Sequence, residues 1–265
     1  MKYLVPGYLA PYILTGMITI ITTVLLGLRR ALRRAAWTEK DRAKAFWSVA
    51  LLLAGWFIFA AATSTAGWYR PASGPPTIQY GLLIPIVVGA VLFRVSPLVR
   101  RTLAIIPDTW LVGVQVYRVL GVIFLVLYAG GHLSALFALP AGLGDTLVGI
   151  FAPFVAASFA RSSEGSSARV RVWNWLGITD LVVAVTLGFV TSPSPLQLAS
   201  FDRPSGLIAM FPLSLIPVFA VPFSILLHLA SLRRLSQRDE AGITEQRTPQ
   251  IASTGGLKRK VAIQQ

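Results

Sequence analysis

The stretch YLAPYILTGMITIITTVLLGLRRALRR, residues 8–34, sets 21 predominantly apolar residues directly against four arginines. A bilayer core about 30 Å thick needs roughly 20 apolar residues at about 1.5 Å rise each. Tyr8–Leu28 is therefore long enough to cross, and Arg29, Arg30, Arg33 and Arg34 mark the side on which it stops. It does not read as a cleaved signal, because its charged flank follows the apolar run and no small-residue cleavage site comes after it.

The same reading extends along the chain. Six further apolar runs qualify, Phe46–Trp68, Gln79–Val95, Thr109–Gly130, Pro140–Ala160, Val172–Thr191 and Leu207–Leu232. Thr38 is placed to cap the second, Pro107-Asp108 to open the fourth, and Pro140 to begin the fifth. The composition agrees: 55% of 265 residues are hydrophobic and 13% charged, with a mean hydropathy of +0.68, too little polar surface to enclose the chain in water. The predicted fold class is all-α, a polytopic integral membrane protein of about seven transmembrane helices. Residues 1–232 form the helical domain. Residues 233–265 form a basic, disordered cytoplasmic tail.

Basic loops stay cytoplasmic. Of the 24 Lys and Arg residues, 20 fall between spans one and two, after spans three and five, or in the tail. Only Lys2, Arg70 and Arg203 fall on the other side, and Arg118 falls inside a span. The amino terminus is thus expected outside and the carboxyl terminus in the cytoplasm. Tyr3, Tyr8, Tyr12, Tyr69, Tyr80 and Tyr128 sit at the outer boundary of this arrangement; Trp47, Trp110, Trp173 and Trp175 sit at the inner one. The stretch from Arg29 to Lys44 reads as an interfacial helical connection, and RSSEGSSARVR, residues 161–171, as a polar loop.

The net charge of +14 follows this topology and is not gathered on one soluble face, so nucleic acid is excluded as a partner. The expected partners are the bilayer itself, anionic lipid headgroups at the basic face, including the LKRK cluster at 257–260, and a small-molecule ligand. No cysteine is present, which removes disulfides, thiolate metal sites and thiol catalysis. No metal-binding or catalytic constellation emerges, and no cofactor is specified.

Charged residues at membrane depth cost at least about 2.5 kcal/mol each on insertion scales. Arg118 and Asp180 lie on parallel spans, roughly 12–14 Å above the same boundary by helical rise, and are expected to pair. Gly177, Asp180, Ala184 and Gly188 share a helical face, as do Asp145, Gly149, Ala152 and Ala156; small residues mark close helix approach. Asp145, read as five residues from the outer end of its span, is expected at the interface or in an outer vestibule with His132. Gln115 lies one turn from Arg118. His228 is expected near the inner boundary, bonded to Ser224 or Asn174, at a depth that excludes bis-histidine haem ligation with His132. The ligand- or ion-binding candidates are Gln115, Arg118, Asp145, Asn174, Asp180 and His228.

Two segments repeat weakly: GLGDTLVGIFAPFV from Gly142 and GITDLVVAVTLGFV from Gly177 share Gly, Asp, Val, Phe and Val at matched positions. Pro212, Pro217 and Pro222 each remove a backbone donor from the seventh span and are expected to kink it. Seven helices with an external amino terminus resemble the rhodopsins and heptahelical receptors in count and orientation. A retinal Schiff base, however, needs an intramembrane lysine, and all five lysines lie outside the spans. The expected function is a small-solute or proton-linked transporter or ligand-binding protein. The alternatives are a membrane-embedded enzyme acting on a lipid or isoprenoid, with Asp145 and Asp180 as acid/base groups, and a structural or interaction subunit.

Overall fold

The computed structural model describes residues 4–70, 77–161 and 166–239. They form seven helices long and apolar enough to cross a membrane, and one short helix. In chain order these are α1 (Leu9–Arg34), α2 (Glu39–Thr65), α3 (Ile78–Val95), the short α4 (Pro97–Ile105), α5 (Asp108–Ala129), α6 (Ala135–Arg161), α7 (Ser166–Thr191) and α8 (Ile216–Asp239). Among the described residues there is no strand.

Each helix buries what its spacing dictates. Along α1 the residues Leu9, Ile13, Met17, Ile20, Val24 and Leu28 recur every three to four positions and are all buried, while Ile18 and Leu26 point outward. The α3 helix buries only Leu82 and exposes Leu83, Ile84, Val87, Val88 and Val91. Large apolar side chains therefore cover the outside, while Gln115, Arg118, Asn174 and His228 are buried at 0–3% exposure. That distribution is the reverse of a bundle whose solvent is water.

Several helix ends lie away from the positions expected from sequence. The α1 helix runs on through Arg34 and α2 begins at Glu39, where Thr38 Oγ1 accepts from the backbone N–H of Asp41 at 3.2 Å. Within the expected helical connection from Arg29 to Lys44, the two helices are thus separated by a break of four residues. The α6 helix starts at Ala135, so Pro140 lies in its interior. It can start there because α5 stops sharply: Gly131 (φ 76°) adopts the left-handed conformation, with its N–H on Tyr128 O and that of His132 on Leu127 O, a Schellman cap.

At the other end of the chain, α8 continues to Asp239, seven residues beyond the boundary at Leu232. Arg234 and Arg238 both bind the buried carboxylate of Asp108 at the start of α5, and Arg233 donates to Phe93 O of α3 at 2.6 Å. These contacts fasten α8 to its neighbours at the basic end. Residues 240–265, with the LKRK cluster, and residues 162–165 of the polar loop lie outside the described residues.

Two irregular segments interrupt the bundle. Residues Val114–Gly121 of α5 form a 3₁₀ stretch, unusually long for that geometry. Its three-residue repeat aligns Gln115, Arg118 and Gly121 on one buried edge. The expected seventh span begins nine residues late: Gly206–Ala209 is a 3₁₀ turn, further turns follow, and α8 opens with a π-helical segment at Ile216–Ala220. Pro212 and Pro217 account for the delay, since neither can donate to the carbonyl four residues before it. Within α8 itself, Pro222 leaves Val218 O without its usual donor, and Trp56 Nε1 supplies one at 3.2 Å.

Candidate functional site

Arg118 is the centre of the buried polar cluster, and each of its three guanidinium nitrogens donates to at least one acceptor. Nε and Nη2 reach Asp145 Oδ1 at 2.8 and 2.7 Å, and Nη2 also donates to Asp180 Oδ2. Nη1 donates to Gly177 O at 3.3 Å and to His228 Nε2 at 3.1 Å. Four helices converge here: α5 supplies the arginine, α6 and α7 one aspartate each, and α8 the histidine.

The direction of the remaining bonds follows from Arg118, which can only donate. His228 Nε2 must accept, so the ring carries its hydrogen on Nδ1 and donates it to Asn174 Oδ1 at 2.9 Å. Asn174 Nδ2 in turn donates to Val170 O at 2.8 Å and to Ser231 Oγ at 3.0 Å. The imidazole is neutral in this arrangement. Counted with both aspartates ionised, the cluster sets two carboxylates against one guanidinium, a formal charge of −1.

Glycines make the convergence possible. A Cβ on Gly144 would collide with Asp180 Oδ1, one on Gly121 with Asp145, one on Gly177 with the His228 ring, and one on Gly149 with the backbone of α5 at Arg118 and Val119. The two aspartates occupy matched positions in the repeated segments, each three residues after a glycine, and both meet the same arginine.

The expected site residues are thus brought together with two changes. Asp145 is not interfacial: because α6 starts at Ala135, it lies ten residues into the helix, roughly 15 Å from the end by helical rise. His132 remains in the turn after α5, apart from it. His228 is fully buried against Arg118, and α8 extends eleven residues past it. Of its two expected partners it binds Asn174; Ser224 instead bonds the Tyr117 hydroxyl at 2.6 Å. Gln115 is fully buried, yet neither of its amide atoms has a partner among the described residues, so it stands outside the network.

Sequence reasoning missed two features. The pairing of Asp108 with Arg234 and Arg238 is foreshadowed only by two arginines four residues apart on one helical face. The other is a cavity of about 140 Å³ between α3, α5, α6, α7 and the irregular segment preceding α8. Its walls include Phe124, Phe137, Leu181, Ile216 and Val221, and Asp145 is the one acidic residue lining it. A second cavity of about 50 Å³ lies beyond, lined by Tyr12, Tyr117, Arg118 and Ser224. Asp145 borders both, as do Leu181, Ile216 and Val221.

No group of three or more His, Cys, Asp or Glu suited to a metal ion occurs among the described residues. No curated protein and no solved structure matches the chain. One family model does, described as a domain of unknown function, DUF8737, over residues 75–236. That range begins just ahead of α3 and takes in Arg118, Asp145, Asn174, Asp180 and His228, leaving α1 and α2 outside. Since the match covers more than half of its length, the chain belongs to the DUF8737 family.

Proposed function

We propose that this is a multi-pass protein of the cytoplasmic membrane, amino terminus outside and carboxyl terminus in the cytoplasm, that binds or transports a small solute at the Arg118 cluster. The observation that carries the reading is the position of Asp145, which holds Arg118 through Oδ1 and lines a cavity large enough for a small organic molecule. A solute engaging Asp145 acts on a carboxylate that shares its counter-charge with Asp180, so solute binding is linked to the charge state of the pair. That linkage is the basis for proton coupling. Because Nε, Nη1 and Nη2 of Arg118 are all engaged within the cluster, the arginine positions the carboxylates.

The surroundings support transport over static binding. Two cavities meet at Asp145, and both irregular segments, the 3₁₀ part of α5 and the π-helical start of α8, contribute to their walls. Broken helices at membrane depth are tolerated where they are buried or line a cavity, and they are the elements transporters move. The basic face around Arg29–Arg34, Arg100 and Arg101 would rest on anionic headgroups. One observation favours a structural role instead: the pairing of Arg118 with two carboxylates, which alone accounts for the tolerance of a buried charge.

Proteoliposomes loaded with the pH dye pyranine test the proposal when challenged with benzylamine, benzyl alcohol and benzoate in turn. The expected result is proton movement above that of protein-free vesicles with at least one solute, lost in Asp145→Asn. Responses equal in wild type and Asp145→Asn for every solute would leave the cluster a packing device.

A further inference from the structure

We infer that the solute is a small organic cation, a compact apolar body carrying one protonated nitrogen, seated with that nitrogen on Asp145. The inference rests on the proposed solute site and names the ligand class that fits it.

Charge balance is the first argument. With both aspartates ionised, Arg118, Asp145 and Asp180 sum to −1, and His228 adds nothing because its Nε2 lone pair is used by Arg118. One monovalent cation makes the cluster neutral, which in an apolar interior removes the cost of an uncompensated charge. An anion would raise that cost.

Geometry is the second. Asp145 is 8% exposed, and its Oδ2 has no hydrogen-bond partner among the described residues while Oδ1 is held by Arg118. The cavity it lines is close to the roughly 150 Å³ that accommodates a benzene ring in an engineered protein cavity. Its aromatic lining, Phe124, Phe137, Trp68, Tyr69 and Phe189, suits a hydrocarbon body and a cationic head. A bare metal ion finds one unpaired carboxylate oxygen and apolar walls, far short of the six or more oxygens such ions take. Arg70, the other charged residue in the lining, is exposed in the turn after α2, where its charge is screened.

The absence of cysteine makes a direct test practical. Ala184→Cys places a single thiol in the cavity wall, one turn from Asp180. Its modification is timed with three methanethiosulfonates: the neutral methyl, the cationic aminoethyl and the anionic sulfonatoethyl reagents, each normalised to its rate with a free thiol in solution. The expected result is modification by all three, with the cation ahead of the anion by about tenfold or more, a ratio that falls to about twofold when Asp145→Asn is added. Asp180→Asn, which removes the excess charge without touching the cavity lining, is expected to lower the ratio as well and guards against misfolding of the first variant. Modification by the neutral reagent with no preference for the cation, or a preference that survives both substitutions, would overturn the cation assignment while leaving the solute site standing. No modification by any reagent would overturn both.

Discussion

Gly144 and Asp180 meet across α6 and α7 with no space for a methyl group between them, because a Cβ on Gly144 would collide with Asp180 Oδ1. Backbone and carboxylate are in contact there, and the aspartate is held against Arg118 from behind. Gly144→Ala is therefore expected to destabilise the protein by about 1–3 kcal/mol, as overpacking does in a close-packed interior. Asp180→Ala removes the colliding oxygen. Thermal unfolding of the two single variants and the double variant in detergent checks this: the double variant should lose less than the sum of the singles. Strict additivity would contradict the contact.

The charge arrangement predicts an order among substitutions at the cluster. Arg118→Met leaves two carboxylates with no cation, and breaking a buried pair in this way costs about 3–5 kcal/mol. Arg118→Lys should not restore it, since three donors cannot serve the acceptors that five now serve. Either Asp145→Asn or Asp180→Asn leaves one carboxylate on one guanidinium and should be far milder. The double Asn variant strands the arginine and should cost more than the two singles together. Denaturation midpoints in one detergent give the order directly.

At His228 the prediction is spectroscopic. The hydrogen sits on Nδ1, facing Asn174 Oδ1, and Nε2 is bare, facing Arg118. The ¹⁵N spectrum of histidine-labelled protein, assigned with the His132→Gln variant, should show one neutral ring with that tautomer. A ring at position 228 with both nitrogens protonated would contradict the hydrogen-bond directions and the charge count built on them.

The basic end supplies a control outside the cluster. Asp108 is 2% exposed and takes bonds from Arg234 and Arg238, with Arg234 also donating to Leu103 O. Asp108→Ala leaves those guanidinium donors without their acceptor and is expected to cost about 1–3 kcal/mol. Hydrogen exchange should rise in the last two turns of α8 and remain unchanged around Arg118. Equal protection in wild type and variant at the α8 end would show that the arginines do not fasten it.

Much of this arrangement was legible in the sequence, and the misreadings share one cause. Seven apolar runs and the cost of burying Arg118 and Asp180 led to the bundle and to a pair between those two residues. From the sequence, Asp145 and His228 fall near opposite boundaries because Pro140 and Arg233 read as helix ends. In the structure, α6 begins before Pro140 and α8 continues past Arg233, and both residues join the pair inside their helices. Hydropathy marks where a chain becomes apolar, whereas caps and buried ion pairs decide where a helix stops. The cavity was not legible at all. Its walls depend on the irregular backbone from Gly206 to Ala220, where successive prolines withdraw donors and no simple period survives.

The account turns on Asp145 as a carboxylate that faces a ligand while remaining bound to Arg118. Isothermal titration of the purified protein with benzylamine, benzyl alcohol as the neutral isostere, measures this most directly. The account predicts saturable binding of benzylamine, weaker binding of benzyl alcohol, and loss of the difference in Asp145→Asn. Binding of both ligands with equal affinity, unchanged by Asp145→Asn, would contradict it.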